Sequence, residues 1–251
     1  NNLPDCSNMC HESSGFALSD SIGIGKGTVK LEDFNSAELI LVVGQNPGTN
    51  HPRMLTALRD AKKNGASVIS INPLIETGMK KFKHPQNPLE MLGSGKSISD
   101  RHVRIKINGD MAFFRGLNHL LIKNGHFDPE FISTYTSGFD NYKESVQSVD
   151  WDEIESVSGI SRKEIETIAE IVGKSNSLIT CWAMGITQHH NSVETIQEMV
   201  NTHLLGGHIG RKGAGVCPVR GHSNVQGDRT VGINHIANPK LIQNILDSTG
   251  I

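Results

Sequence analysis

The sequence has no long hydrophobic run and no marked excess of charge of either sign. No stretch approaches the roughly 18 uninterrupted apolar residues that a membrane-spanning helix needs, and 24 basic against 26 acidic residues give a net charge of −2. This balance gives no indication of nucleic acid or of an anionic membrane surface as a partner. Because 36% of the 251 residues are hydrophobic and 20% are charged, we expect a globular protein without membrane insertion.

Cysteine is scarce and is not spaced for a structural metal site. The four cysteines are Cys6, Cys10, Cys181 and Cys217, and only the first two lie close together. A single C-x3-C pair is neither a zinc ribbon nor an iron–sulfur motif. Because no signal peptide is recognisable either, we expect reduced thiols and a cytoplasmic location.

The glycines do not form a nucleotide-binding fingerprint. Gly95-Lys96-Ser97 resembles the end of a P-loop, but Glu90 occupies the position where that motif requires its first glycine. The glycine cluster over 23–27 follows no predicted strand. The chain also lacks the G-x-G-x-x-G motif, which disfavours an NAD-dependent dehydrogenase.

Strand-like and helix-like segments alternate, as is typical of an α/β fold with a mainly parallel sheet. Strands are predicted over 38–43, 67–71, 102–107 and 178–182, and helices over 52–63, 111–123, 193–205, 239–248 and after the capping box of Ser161 and Glu164. Residues 80–100 are predicted to be a surface insertion. We therefore expect an open parallel sheet flanked by helices, similar to dinucleotide-binding domains.

The domain is expected to span residues 1–220, with 221–251 as the start of a neighbouring domain. Asn1 is not an initiator methionine, and the chain stops at a predicted helix. These features suggest a fragment of a longer polypeptide.

Small or polar residues follow each predicted strand. Because the carboxyl ends of parallel strands meet at one edge of a sheet, they predict a site for a long, nucleotide-like ligand, with backbone N–H groups facing a phosphate at a helix N-terminus. A tight turn without any ligand would use the same residue types. The residues concerned are Gly44, Asn46, Pro47, Asn72, Pro73, Asp110, Met184, Gly185 and Gln188.

Three residues each have a functional and a purely structural interpretation. Asp110 can accept both N–H groups of a guanine edge or cap the helix that follows it, and the two roles can coexist. Cys10 beside His11 can be a nucleophile or a soft metal ligand, or an inert buried thiol. Arg220 can bind a carboxylate through its planar guanidinium or form an ordinary ion pair.

Taken in order, these segments resemble the molybdenum- or tungsten-dependent formate dehydrogenases, and especially their formate-dehydrogenase-like alpha subunits. Five short motifs match in the same order along nearly the whole chain, which is more specific than any one of them. They are Cys10 to Ser14, Val43 to Pro47 with His51-Pro52, Met184 to Gln188, Gly206-x3-Gly210, and Pro218 to Gly227. The resemblance implies the central domain of the formate dehydrogenase and DMSO reductase fold.

The resemblance also implies a role for each matching residue. Cys10 would ligate the metal as a thiolate, beside the dithiolene sulfurs of two molybdopterin guanine dinucleotides (bis-MGD). His11 would accept or relay the proton, and Arg220 would hold the formate carboxylate. The remaining matches would bind the cofactor, with Asp110 on the guanine; they are Gly44, Asn46, Pro47, His51, Asn72, Pro73, Asp110, Met184, Gly185 and Gln188.

The implied reaction is the two-electron oxidation of formate to carbon dioxide, or its reverse, with an electron-acceptor protein or subunit as partner. The sequence departs from the family pattern where Glu12-Ser13 replaces the usual Gly-Pro, since a negative charge there would disfavour an anionic substrate. The cysteine cluster that holds a [4Fe-4S] cluster in family members is also absent from this chain, so the resemblance implies such a cluster only for the full-length protein. The alternatives are therefore a cofactor-binding module without formate activity and a related molybdo-oxidoreductase with another substrate.

Overall fold

The computed structural model describes residues 10–233 and 238–250. Five strands form one sheet in the order β3-β2-β1-β4-β5, and every neighbouring pair is parallel. The strands are β1 (Leu39–Val43), β2 (Ser67–Ile71), β3 (Arg101–Val103), β4 (Leu178–Trp182) and β5 (Gly215–Pro218). The expected α/β fold with an open parallel sheet is confirmed.

Helices cover both faces of this sheet. They are α1 (Glu12–Ile22), α2 (Pro47–Asn50), α3 (Pro52–Lys63), α4 (Thr77–Lys80), α5 (Pro88–Leu92), α6 (Asp110–Lys123), α7 (Pro129–Tyr135), α8 (Phe139–Gln147), α9 (Trp151–Ser158), α10 (Arg162–Lys174), α11 (Met184–Thr187), α12 (Ser192–Leu205), α13 (Val225–Thr230) and α14 (Pro239–Thr249), with a 3-10 helix over Leu31–Ser36. Of the helices in the described part of the chain, none is long and apolar enough to cross a membrane.

The central strands are almost entirely apolar because both of their faces are covered, and Thr180 is the one polar residue of β1 and β4. All five residues of β1 and all five of β4 are buried. Successive side chains point to opposite faces, so Leu41 packs into a core shared with α1, α6, α10 and α12, while Ile40 and Val42 pack into a second core with α3. The hydrophobic runs of the sequence thus form the sheet, which is the middle layer between two layers of helices.

The predicted strands are confirmed in position, but β3 is shorter than the predicted 102–107. After Val103 the chain turns away from the sheet, because the Lys106 amide donates to Ser158 O and Asn108 adopts a left-handed φ of 64°. Strand β5 was not predicted, and of the helices with seven or more residues neither were α1, α7, α8 and α9. The predicted capping residue Ser161 accepts a hydrogen bond from the Glu164 amide at 3.3 Å.

Two predicted regions extend beyond the central layers. The insertion over 80–100 contains α5 and an isolated bridge between Phe82 and Lys96, and buried Ile98 anchors it to the second core. At the carboxyl end, α14 has no buried residue. The domain boundary at residue 220 stays a prediction.

Candidate functional site

The loops after β1 and β4 leave the sheet where the strand order reverses. From β1 the chain continues to β2 and β3 on one side, whereas β4 and β5 lie on the other. In open α/β sheets, ligands bind in the crevice that forms at such a switch point. The cleft described below lies at this point.

Two glycines allow the loops after β1 and β4 to touch. The Gly185 amide donates to Gly44 O at 3.0 Å. A Cβ on Gly185 would lie 2.5 Å from Gly44 O, and a Cβ on Gly44 would lie 2.8 Å from the carbonyl carbon of Gly185. Gly44 also has a φ of +56°, which favours glycine. Both positions therefore require glycine for the two loops to pack this closely.

A cleft of about 670 Å³ opens above this contact. Its walls come from the loops after β1, β2 and β4, from Cys10 before α1, and from the segment after β5. The lining residues are Cys10, Gly44, Gln45, Asn46, Asn50, His51, Asn72, Glu76, Ala183, Met184, Gly185, Val219, Gly221 and His222. The fold thus brings Cys10 together with six of the ten predicted cofactor-binding residues.

Gln45 and His51 carry polar atoms that lack partners within the described structure. The Gln45 amide nitrogen lies 3.3 Å from His51 Nδ1 and donates to Met54 Sδ at 3.1 Å. Gln45 Oε1 and His51 Nε2 are buried and have no hydrogen-bond partner. Buried polar atoms normally have partners, and so these two atoms are suited to a ligand. Gln45 was not among the predicted site residues.

Glu76 connects two predicted ligand-binding side chains. Its carboxylate accepts from Asn46 Nδ2 at 2.7 Å and from Asn72 Nδ2 at 3.2 Å. Asn46 Oδ1 in turn accepts from the Thr49 amide and caps α2. Glu76 therefore holds the loops after β1 and β2 together, a role that sequence reasoning missed because the contact spans some thirty residues of chain.

Cys10 precedes α1 and is a partly exposed free thiol. The next residue, His11, is 3% exposed. Its Nδ1 lies 2.9 Å from Ser14 Oγ, which accepts from Trp182 Nε1 at 2.9 Å, and its Nε2 lies 3.1 Å from Val219 O. A carbonyl can only accept, so His11 Nε2 carries the hydrogen and Nδ1 accepts from the Ser14 hydroxyl. Burial, helped by the Arg220 guanidinium, lowers the pKa of His11 to about 4.

Arg220 lines a second cavity, of about 420 Å³, together with His11, Glu12, Lys26 and Gln226. Its Nη2 donates to Gly25 O at 3.4 Å. The flanking residues Val219 and Gly221 line the first cleft. The structure thus brings Cys10 and the segment around Arg220 together, but the thiol and the guanidinium open into neighbouring cavities.

Four predicted residues do not line the cleft. Asp110 is 3% exposed, and burial raises its pKa to about 7; its carboxylate lies 3.9 Å from His189 Nδ1. The N-cap of α6 is Gly109, with Asp110 as the first helical residue, so the capping role considered for Asp110 is wrong. Pro47 begins α2, and Gln188 is the C-cap residue that follows α11. Pro73, in the loop after β2, is partly buried.

Known proteins resemble this chain along most of its length. A family model described as molybdopterin oxidoreductase matches residues 2–245. The uncharacterized oxidoreductase Rv2900c of Mycobacterium tuberculosis is 52% identical over 239 residues, which cover 93% of this chain and 31% of that protein. Formate dehydrogenase H of Escherichia coli is 30% identical over 228 residues, covering 90% of this chain and 29% of that protein.

A solved structure has the same fold. Acetylene hydratase from Pelobacter acetylenicus superposes with a TM-score of 0.66 at 20% identity, covering 82% of this chain and 25% of that one. The chain spans about a third of the length of the curated relatives it matches.

Proposed function

Because the chain belongs to the molybdopterin oxidoreductase family, we propose that it forms the cofactor-binding core of a formate-dehydrogenase-like enzyme. The reaction proposed is the two-electron oxidation of formate to carbon dioxide, or its reverse. Formate dehydrogenase H as a relative at 30% identity and the five ordered motifs of the sequence support this choice of substrate.

The residues present fit a pterin dinucleotide. Gly44 and Gly185 leave backbone open at the strand ends, and the cleft above them is about 670 Å³ in volume. Gln45 Oε1 is a buried acceptor and His51 Nε2 a buried nitrogen without a partner, which suits the mixed donors and acceptors of a pterin or guanine edge. Asn72 and Met184 would complete the wall, while Asn46 and Glu76 hold its shape.

When bound, the molybdenum or tungsten bis-MGD cofactor would supply the two-electron chemistry, and the protein its orientation and electrostatics. Cys10 would ligate the metal, since a thiolate is a soft ligand. No group of three or more His, Cys, Asp or Glu side chains in residues 10–233 and 238–250 is arranged to hold a metal ion.

The roles of Arg220 and His11 are part of the same proposal. Arg220 remains charged at working pH and can hold a carboxylate bidentately. To meet a substrate beside Cys10, its side chain would turn from the second cavity into the cleft. His11 can take a proton only at Nδ1, once the Ser14 hydroxyl no longer donates to it, because Nε2 already carries the hydrogen that it donates to Val219 O.

The observation that carries the proposal is the placing of Cys10 in the glycine-lined cleft at the switch point. The test is metal analysis of the purified whole protein, followed by a formate assay with a dye as electron acceptor. We expect molybdenum or tungsten together with formate-dependent dye reduction. Protein without either metal would contradict the proposal.

One observation favours a second candidate, a molybdo-oxidoreductase with another substrate. Glu12 lines the same cavity as Arg220, and its negative charge would disfavour an anion. Metal without formate activity, together with turnover of a neutral substrate, would support this candidate; metal without any turnover would support a cofactor-binding module. The electron-acceptor partner, the cytoplasmic location and a [4Fe-4S] cluster in the whole protein stay predictions.

A further inference from the structure

Two cysteines outside the cleft lie directly opposite each other in the sheet. Cys181 of β4 pairs in register with Cys217 of β5. Paired residues of neighbouring strands point to the same face, and both side chains belong to the core on the α3 side. Neighbouring strands lie about 4.8 Å apart, within the roughly 4.4–6.8 Å between α carbons that a disulfide allows.

The two thiols differ in access. Cys181 is 0% exposed. Cys217 is partly exposed and lines a cavity of about 450 Å³ between the 3-10 helix, α3 and the end of β5, whose walls include Phe34, Arg53 and Met54. A reagent that enters this cavity meets the sulfur of Cys217 first, and the sulfur of Cys181 lies behind it.

The two thiols also differ in pKa, and the more accessible thiol, that of Cys217, has the lower pKa. Burial raises the pKa of Cys181, whereas a hydrogen bond from Cys181 lowers the pKa of Cys217 against the opposing effect of burial. Since the thiolate is the reactive form, the more accessible sulfur is also the more nucleophilic one.

We propose that Cys181 and Cys217 form a reversible dithiol–disulfide pair, in which Cys217 reacts first with a small disulfide such as glutathione disulfide and Cys181 completes the exchange. The Cys217 thiolate attacks one sulfur of the small disulfide, which yields a mixed disulfide and releases one small thiol. The Cys181 thiolate then attacks the Cys217 sulfur and releases the second small thiol. Two cysteine thiols are oxidised, and one small disulfide is reduced.

The disulfide would lie beside residues 219–221, which border the cleft and the second cavity, the one lined by Arg220. Two residues after Cys217 comes Val219, whose amide donates to Trp182 O at 2.8 Å and whose carbonyl accepts from His11. Closing the disulfide requires the β carbons to approach to about 3.8 Å, and a strained disulfide is readily reduced. Oxidation would therefore tie the ends of β4 and β5 together below the cleft, and reduction would release them.

Peptide mapping of the whole protein tests this directly. Trypsin separates the two cysteines, because Cys181 lies in the peptide 175–211 and Cys217 in 213–220, while Cys6 and Cys10 share 1–26. After treatment with glutathione disulfide and alkylation of the remaining thiols, we expect the first two peptides joined and lighter by two hydrogen atoms, and separate again after dithiothreitol. Recovery of both as alkylated peptides would overturn the proposal.

Two matched variants test the order of attack. Cys181→Ser should trap the mixed disulfide on peptide 213–220, whereas Cys217→Ser should leave peptide 175–211 without glutathione. The reverse pattern would overturn the assignment of Cys217 as the first nucleophile. Alanine variants replace either serine variant if its circular dichroism shows a loss of fold. The proposal does not rest on the proposed function, since the exchange requires no bound cofactor.

Discussion

Gln45 and His51 show how single side chains make the cleft suitable for a ligand. Each has a buried polar atom without a partner in the described structure. Gln45 as a whole is 3% exposed. Leaving such an atom unsatisfied costs about 1–3 kcal/mol. A ligand that satisfies both atoms would recover this free energy, and so the two residues are pre-arranged for binding.

The substitution Gln45→Leu should weaken cofactor binding but have little effect on stability. We expect the free energy of unfolding without cofactor to change by no more than about 1 kcal/mol, because loss of the unsatisfied acceptor offsets the lost contacts to His51 and Met54. Cofactor content, measured as metal and pterin per protein, should fall several-fold. Gln147→Leu, at the exposed end of α8, is the control. Undiminished cofactor content in Gln45→Leu would contradict a binding role.

We expect the buried carboxyl group of Asp110 to lower the free energy of unfolding at high pH. Burial raises its pKa from 3.8 to about 7, so its contribution to stability is complete at low pH and is lost as the pH rises through 7. Asp110→Asn should therefore stabilise the cofactor-free protein by up to about 4 kcal/mol at pH 8 and much less at pH 4, as measured by thermal unfolding.

The control for this prediction is Asp140→Asn, in the first turn of α8. Asp140 is exposed, so its substitution should weaken the helix slightly through loss of a favourable charge at the N-terminus. Equal effects of the two substitutions at pH 8 would show that burial of Asp110 does not raise the free energy of its charged form.

The contact between the ends of β1 and β4 is the element on which the cleft depends. Gly44 and Gly185 bring two loops to within backbone hydrogen-bond distance, a contact that the sequence did not predict. The neighbouring bridge from Glu76 to Asn46 and Asn72 then fixes the loop after β2. The cleft thus takes its shape from the loops after β1, β2 and β4, which hydrogen bonds join to one another.

Gly185→Ala should disrupt this contact. An added Cβ would lie 2.5 Å from Gly44 O and 2.7 Å from Gly44 Cα, so backbone must move, and we expect a loss of about 1–3 kcal/mol in the free energy of unfolding. Gly15→Ala is the control, since a Cβ there meets nothing within 4 Å in α1 and should stabilise by about 0.5–1 kcal/mol. Denaturant titrations that give both variants the same sign would contradict this account.

Long apolar runs made β1, β2 and β4 predictable, because strands buried on both faces need them. Without a comparable run, the three-residue β3 was predicted too long, and the edge strand β5, which has four residues and ends at Pro218, was not predicted. The helices α7 and α9 begin after Asp128 and Asp150, whose side chains cap them; these capping signals were present in the sequence but were not used. The roles of Gln45 and Glu76 depend on contacts between loops, which spacing does not reveal.

At the scale of the whole molecule, buried histidines make stability depend on pH. His203 is 0% exposed, and its Nε2 lies 2.8 Å from the Thr180 hydroxyl. Burial lowers the pKa of His203 to about 3 and that of His208 to about 4. Both groups are neutral in the fold, so their stabilising contribution is complete above 6.5 and decreases as the pH falls toward these values. Asp110 opposes the trend, since its contribution grows as the pH falls.

The variant His203→Gln tests how much His203 contributes to the pH dependence of stability. Below pH 6.5 an unfolded histidine takes up a proton that the folded protein excludes, which costs about 1.4 kcal/mol for each pH unit. A plot of the free energy of unfolding against pH between 6.5 and 4.5 should be less steep in the variant by about that amount. Parallel plots for the two proteins would contradict a neutral, buried His203.

The central claim is that Cys10 supplies a sulfur ligand to a molybdenum or tungsten centre in the cleft. X-ray absorption at the metal edge measures this directly when the whole protein is compared with its Cys10→Ser variant. We expect the variant to retain the metal, to lose one metal–sulfur contribution and to gain a shorter metal–oxygen one. The same number of sulfur ligands in both proteins would contradict the assignment of Cys10 and the account of the site built around it.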